Sequence, residues 1–192
     1  MSKIEEMKVM LLGNSSVGKS SLMIRYTDNK FSPEYISTLG VDNKQKIITL
    51  KNGKEVRLRI YDTAGEERFK AISTNFLKKA DGIILVYDIT NKPSFEEISE
   101  WIETTNENTE NFCMVLVGNK CDLSDEIREV TMEEGQNKAN EYKVPFFETS
   151  CKDDINVKEV FEKIAEDIDN KQNLQKVIGI KIVDKKKKSK CC

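Results

Sequence analysis

Residues 13–20 read Gly-Asn-Ser-Ser-Val-Gly-Lys-Ser, a G-x-x-x-x-G-K-S loop that directly follows an apolar run at 9–12. The two glycines let backbone N–H groups wrap around phosphate oxygens, and the helix that follows presents its positive end to them. Lys19 is predicted to reach the β and γ phosphates, and Ser20 to hold Mg²⁺. The motif therefore predicts a bound nucleoside triphosphate, with a plain Gly/Ser turn as the alternative. The predicted phosphate contacts are Ser15, Ser16, Val17, Gly18, Lys19, Ser20 and Ser21.

The composition restricts the chemistry. The 192 residues include no histidine, which excludes a Ser-His-Asp triad, a Cys-His pair and an imidazole general base. Phosphoryl transfer needs none of these, because it relies on positioning and on charge stabilisation by lysine, Mg²⁺ and backbone N–H groups. The composition is therefore compatible with the chemistry that the phosphate loop predicts.

Charge is divided unevenly along the chain. Residues 171–192 carry a net charge of +7 and the remainder carries −9. We therefore expect one domain over residues 1–170 and a flexible basic tail over 171–192. The five cysteines show no metal-ligand spacing, which favours a reduced, intracellular protein, and no apolar run is long enough to span a membrane.

Short apolar runs alternate with helical patterns, which is typical of a parallel, doubly wound sheet. The runs lie at 83–87, 114–117 and 145–147, and the region 44–61 reads as an antiparallel hairpin with a tight turn at Asn52-Gly53. Two helical stripes are assigned to core packing. One contains Phe95, Ile98 and Ile102, and the other contains Val157, Val160, Phe161, Ile164 and Ile168. Ligands of such sheets lie at the carboxyl ends of the strands, so the loops near residues 13, 62, 119 and 149 are the candidate site.

Two of these loops point to a guanine base. Asn119-Lys120-Cys121-Asp122 and Thr149-Ser150-Cys151-Lys152 resemble the N-K-x-D and S-A-K loops of the Ras-like small GTPases. The resemblance implies a P-loop GTPase fold, α/β, with a six-stranded, mostly parallel sheet, one antiparallel strand and about five helices. It also implies GTP or GDP with Mg²⁺ as the cofactors. The chemistry agrees, because a carboxylate accepts from both N1–H and N2–H₂ of guanine, whereas adenine offers no matching donor pair.

The resemblance implies a role for each residue of these loops. Asp122 selects guanine, Asn119 braces the loop and Lys120 lies over the base. Ser150, Cys151 and Lys152 form the third loop, with the Cys151 backbone N–H at O6, and Phe31 stacks on the edge of the guanine. The family usually has alanine at the position of Cys151, and we hypothesise that the bulkier side chain speeds nucleotide release.

The switch segments follow from the same resemblance. Asp62-Thr63-Ala64-Gly65 matches the D-x-x-G motif, in which Asp62 holds Mg²⁺ through water and the Gly65 N–H meets the γ phosphate. Thr38 lies in a segment similar to the first switch and is implied to ligate Mg²⁺ only while the γ phosphate is present. Loss of that phosphate would release both segments.

The main departure from the family is Glu66, where Ras-like proteins usually have the glutamine that orients the attacking water. A carboxylate only accepts hydrogen bonds and adds negative charge beside the phosphate. Two outcomes stay open: Glu66 repels the developing transition state, or it accepts a proton from the water. The catalytic candidates are therefore Glu66, Lys19, Gly65 and Thr38.

Within the superfamily the chain most resembles the Rab proteins, which organise vesicle traffic. The matching segments are 68–72, 85–90 and the pair Cys191-Cys192. Three positions of the usual aromatic effector surface differ, because Asn43, Tyr61 and Phe76 stand where Rabs carry phenylalanine, tryptophan and tyrosine. Loss of the phenylalanine removes apolar contact area, so standard Rab effectors are not assumed.

Cys191 and Cys192 are the expected lipidation site. In Rabs, paired cysteines receive two geranylgeranyl groups, and two chains give stable membrane attachment where one is marginal. The lysines at 185–188 and 190 add attraction to an anionic leaflet. A solvated charge run or a nuclear address is the alternative for the lysines alone.

The sequence thus predicts a Rab-type switch that hydrolyses GTP to GDP and regulates trafficking from the cytoplasmic face of endomembranes or the plasma membrane, with a cytosolic pool. The implied partners are an exchange factor, a GTPase-activating protein, a GDP-dissociation inhibitor, a prenylation escort and effectors, but no nucleic acid. Two alternatives stay open: a GTP-loaded binding module with negligible turnover, and a P-loop kinase acting on a small acceptor.

Overall fold

The computed structural model describes residues 4–33, 41–63, 77–123 and 125–188, with side chains up to residue 177. The six strands found there are β1 (Glu5–Leu12), β2 (Val41–Thr49), β3 (Glu55–Thr63), β4 (Gly82–Asp88), β5 (Cys113–Asn119) and β6 (Phe146–Thr149). They form one sheet in the order β2-β3-β1-β4-β5-β6, in which only β2 is antiparallel to its neighbour. The predicted fold class is confirmed.

Five α-helices accompany the sheet in the described residues. They are α1 (Lys19–Asp28), α2 (Lys92–Glu96), α3 (Ile98–Asn108), α4 (Met132–Tyr142) and α5 (Val157–Lys188). Buried side chains form two apolar clusters. One unites α1 and α5 with the sheet, and the other unites α2, α3 and α4 with it. Apolar strand residues thus contribute to both clusters, as a sheet covered by helices on both faces requires.

The hairpin is present, but its connection differs from the predicted two-residue turn. Strand β2 ends at Thr49 and β3 begins at Glu55. Gly53 supplies a positive φ of 82°, and the Asn52 side chain accepts from the Lys54 N–H at 3.0 Å. Asn52 also donates to Asp169 of α5 at 2.9 Å, so the longer loop fastens the hairpin to the last helix.

The predicted apolar stripes are buried as expected. Val157, Val160, Phe161, Ile164 and Ile168 of α5 all lie in the core. The other stripe is divided between two helices, since Phe95 belongs to α2 and Ile98 to α3, with Glu97 between them. Phe161 stacks on Tyr26 of α1 with ring centroids 4.0 Å apart. This contact fixes α1, which begins at the end of the phosphate loop.

The backbone of α5 continues through Lys188, across most of the segment expected to be a tail. That this segment is flexible and separate from the domain stays a prediction. In the described part of the chain, no helix is long and apolar enough to cross a membrane.

Candidate functional site

The phosphate loop connects β1 to α1, and both of its glycines are needed for close backbone approach. A Cβ on Gly13 would lie 2.0 Å from the carbonyl oxygen of Val86 in β4, and φ is +130°. A Cβ on Gly18 would lie 2.2 Å from Asn119 Nδ2, and φ is +96°. Any side chain would therefore clash at both positions, which ties these glycines to the packing of the loop against β4 and β5.

Lys19 lies at the first position of α1 and is buried. Its ammonium donates to the carbonyl oxygens of Gly13 at 2.8 Å and Asn14 at 2.7 Å. Burial lowers the pKa of Lys19 to about 8, against the opposing effect of the Asp62 carboxylate. A buried cation at the N-terminus of a helix favours a bound anion, and phosphate is the anion that the sequence motif predicts.

Two of the three predicted magnesium ligands, Ser20 and Asp62, lie side by side. The Ser20 hydroxyl donates to the Asp62 carboxylate, which is buried near the end of β3. Hydroxyl and carboxylate oxygens are the hard donors that Mg²⁺ prefers. These two donors therefore fit a magnesium ion.

Asn119 joins three loops. It ends β5 and is buried, and its amide donates to the carbonyl oxygen of Val17 at 2.9 Å. Its own oxygen accepts from Thr149 Oγ1 at 3.0 Å and lies 3.5 Å from Cys151 Sγ. The side chain thus connects the phosphate loop to both loops that the sequence assigns to the base.

Asp122 is held by the neighbouring loop. One carboxylate oxygen accepts from Ser150 Oγ at 2.7 Å, and the other lies 4.0 Å from Lys152 Nζ. The Asp122 side chain is largely buried, with 8% of it exposed. Ser150 also accepts from the Asp153 N–H at 2.9 Å, which fixes the hydroxyl. The neighbouring loop consequently orients the carboxylate.

Lys120 is held at the end of β4, and Phe31 is exposed. Lys120 has a positive φ of 70° and pairs with the buried Asp88 at 2.6 Å. This ion pair connects the base loop to the end of β4. Phe31 lies beyond the end of α1 with 38% of its surface exposed, so its ring is accessible to a ligand.

Cys151 is buried, and burial raises the pKa of its thiol to about 12. Its carbonyl oxygen accepts from Arg25 Nε at 2.6 Å, and that of Lys152 accepts from Arg25 Nη2 at 3.0 Å. No sequence pattern predicts this role for Arg25, because no spacing relates residue 25 to the loop at 150. Helix α1 therefore supports the base loops as well as carrying Lys19 and Ser20.

Trp101 is the second contributor that sequence reasoning missed. Its indole N–H donates to Asn14 Oδ1 in the phosphate loop at 2.9 Å. Trp101 lies on the buried face of α3 with Ile98 and Ile102, and this position predicts core packing but no contact with the loop.

The structure brings the phosphate loop, the pair Ser20 and Asp62 and both base loops to one edge of the sheet. The remaining predicted site residues lie outside the described residues. They are Thr38, Gly65, Glu66, Cys191 and Cys192.

We predict that Asn119→Ala lowers the free energy of unfolding by about 2 to 3 kcal/mol, because it leaves the Val17 carbonyl and the Thr149 hydroxyl buried without this partner. Urea denaturation measures the effect. The control is Asn140→Ala on the exposed face of α4, expected within about 0.5 kcal/mol of the native chain. Equal losses in the two variants would contradict the linking role of Asn119.

Comparisons with known proteins agree with this geometry. The family model described as "Ras family" matches residues 8–170. The chain is 44% identical to Ras-related protein SEC4 of Saccharomyces cerevisiae, covering 91% of this chain and 80% of that protein. It is 43% identical to Ras-related protein RAB1BV of Beta vulgaris, covering 96% and 92%. It is 44% identical to GTP-binding protein Rab-3D of Rattus norvegicus, covering 86% and 75%.

The family match spans the phosphate loop, Asp62 and both base loops, which are the elements that the structure assembles at one sheet edge. The relatives extend the similarity over most of the chain. The chain therefore belongs to the Ras family of small GTPases, as a Rab-type member.

Proposed function

We propose that this Rab-type GTPase binds GTP with Mg²⁺ at the edge of the sheet formed by the phosphate loop and the two base loops, and that hydrolysis to GDP changes the partners it binds. Family membership makes the chain a GTPase that acts in vesicle trafficking. The comparisons do not support the alternative of a binding module without turnover, and the proposed base site argues against a P-loop kinase.

The observation that carries the proposal is the hydrogen bond from Asn119 to the Val17 carbonyl. This bond fixes the distance between the phosphate loop and the loop that contains Asp122. A ligand that occupies both loops must have a base at one end and phosphates at the other. A guanine nucleotide has that shape and those hydrogen-bonding groups.

On the phosphate side, the Lys19 ammonium and the N–H groups of residues 15–21 would bind the β and γ phosphates. Ser20 and Asp62 would hold Mg²⁺, which supplies charge neutralisation between the phosphates when bound. The Ser20 hydroxyl already donates to Asp62, so the two ligands are positioned together by the protein. Thr38 and the Gly65 N–H are proposed to report the γ phosphate.

On the base side, Asp122 would accept from the guanine N1–H and N2–H₂. The Ser150 hydroxyl keeps the carboxylate in place, and Lys120 and Phe31 would flank the ring. The Cys151 backbone N–H would donate to O6. The Cys151 thiol is buried against Asn119. Our hypothesis is that Cys151 speeds nucleotide release through this packing.

Rab-type proteins act with regulators and effectors, and here we propose an exchange factor, a GTPase-activating protein, a GDP-dissociation inhibitor and a prenylation escort. Asn43 lies on the exposed part of β2, where a polar side chain offers little apolar contact area. We therefore propose effectors with a more polar recognition surface than those of standard Rabs. Lipid attachment at Cys191 and Cys192 would place the protein on the cytoplasmic face of a membrane.

Asp122→Asn tests the base assignment. An amide has one acceptor oxygen and places a donor NH₂ group where the second carboxylate oxygen was, so GTP affinity is expected to fall roughly tenfold or more. Competition with a fluorescent GDP analogue, carried out separately with GTP and with ATP, measures the affinity for each nucleotide. Asp153→Asn, an equal charge change at an exposed neighbour, serves as the control and retains native affinity. Tighter binding of ATP than GTP by the native chain would refute the proposal.

Glu66→Gln tests the catalytic assignment. Because residue 66 is proposed to face the γ phosphate, the single-turnover rate of GTP hydrolysis is expected to change, and Glu67→Gln is expected to leave it unchanged. A faster variant identifies repulsion by the carboxylate, whereas a slower variant identifies proton acceptance from the attacking water. Identical rates in the native chain and Glu66→Gln would remove Glu66 from the mechanism.

Replacement of both Cys191 and Cys192 with serine tests the membrane assignment. The doubly substituted protein is expected in the soluble fraction of cells, and either single variant in intermediate amounts, because stable attachment takes two signals. Cys113→Ser, which removes a thiol at the start of β5, keeps native attachment. Persistent membrane binding of the double variant would contradict the lipid anchor.

A further inference from the structure

Trp101 connects α3 to the phosphate loop. The indole is buried on the inner face of α3, and its N–H donates to Asn14 Oδ1 at 2.9 Å. The indole nitrogen is a donor only, so burial requires an acceptor. That acceptor is a side chain of the phosphate loop, 87 residues earlier in the sequence.

Asn14 is held from two directions. Its side-chain oxygen accepts from Trp101, and its backbone oxygen accepts from Lys19 Nζ at 2.7 Å. Lys19 in turn is buried, so its position depends on these loop carbonyls. A shift of Asn14 would therefore shift the acceptor of the cation that is proposed to bind phosphate.

Trp101 also belongs to one of the two apolar clusters of the core. The same cluster contains Leu12, which directly precedes the phosphate loop. Helix α3 and the strand that enters the phosphate loop thus contribute to one apolar cluster. Trp101 adds the polar contact to the loop.

We propose that Trp101 is a positioning residue that retains nucleotide: its indole N–H holds Asn14, and through it the phosphate loop, in the binding geometry. This inference rests on the proposed function, because it assumes that the loop binds the phosphates. Trp101 itself need not touch the nucleotide. It keeps the phosphate loop ordered, so the loop loses less conformational freedom when phosphate binds.

Loss of the contact is expected to appear in the dissociation rate. A neutral hydrogen bond has a net effect that corresponds to roughly a two- to tenfold change in an equilibrium constant. Affinity changes within one interface occur mostly in the off-rate. We therefore expect Trp101→Phe, which keeps an aromatic ring but removes the N–H, to release GDP roughly two to ten times faster.

The experiment uses the full chain loaded with a fluorescent GDP analogue and chased with excess GDP. Phe95→Leu is the matched control, because Phe95 is buried in the same cluster and its ring contacts Tyr87, Lys92 and Lys138. Both variants are expected to lower the unfolding temperature, whereas only Trp101→Phe accelerates release. Equal acceleration by Phe95→Leu would reduce Trp101 to a general packing residue and overturn the proposal.

A double-mutant cycle identifies the bond itself. Asn14→Ala and Trp101→Phe each remove it, so the double variant is expected to release GDP no faster than the faster single variant. Additive accelerations would overturn the proposal. Unchanged release in Trp101→Phe, with normal loading of the native chain, also overturns it. Failure of the native chain to load any guanine nucleotide would instead refute the proposed function.

Trp101 supplies a spectroscopic readout, since it is the single tryptophan of the chain. Its emission is expected to change when GDP is removed from the native protein, and this response is expected to disappear in Asn14→Ala. An emission spectrum that does not respond to GDP removal in the native protein would show that the indole is not coupled to the occupied loop.

Discussion

The site depends on one buried amide. The Asn119 side chain donates to the carbonyl oxygen of Val17, and it occupies the space in which a Cβ on Gly18 would lie. A glycine at position 18 and an asparagine at 119 therefore require each other: the first leaves room, and the second satisfies a carbonyl that the turn of the loop exposes. Without this pair, the phosphate loop and the base loops would each fold against the sheet with no fixed distance between them.

The sheet makes that contact possible. Strands β1, β4, β5 and β6 run parallel, and Asp88, Asn119 and Thr149 lie in register at their carboxyl ends. The strands themselves therefore place these three side chains on neighbouring positions, and the loops are not needed for that placement. Loop residues need only short connections to this row, as Lys120 has to Asp88 and the Cys121 N–H has to the Thr149 carbonyl oxygen. The rigid part of the site is the strand ends, and the loops are attached to it.

Sequence patterns predicted the fold because apolar runs and stripes are local signals. The strand runs, the hairpin and the buried face of α5 could all be assigned in this way. The break between α2 and α3 could not, since Phe95, Ile98 and Ile102 keep helical spacing across Glu97. The hairpin loop also differed, because Asn52 bonds to Asp169 of the last helix, and no local pattern indicates a partner so distant in sequence.

The residues of the site also divide into those with a local sequence pattern and those without one. Residues proposed to touch the nucleotide belong to short motifs whose spacing reflects one ligand, so the sequence could predict them. Residues that support those motifs do not. Arg25 holds the carbonyls of Cys151 and Lys152, and Trp101 holds Asn14, but both have the residue types of an ordinary helix face. Long-range hydrogen bonds of this kind are set by packing, and only the structure reveals them.

The phosphate loop is consequently held near both ends by different elements. Trp101 of α3 holds Asn14, while Asn119 at the end of β5 holds Val17. These two contacts share no residue, so substitution can remove each one separately. The Asn119 contact is coupled to the base loops through Thr149, and its loss would disturb both ends of the site. The Trp101 contact joins α3 to the phosphate loop alone, so its loss would leave the hydrogen bond between Asn119 and Thr149 in place.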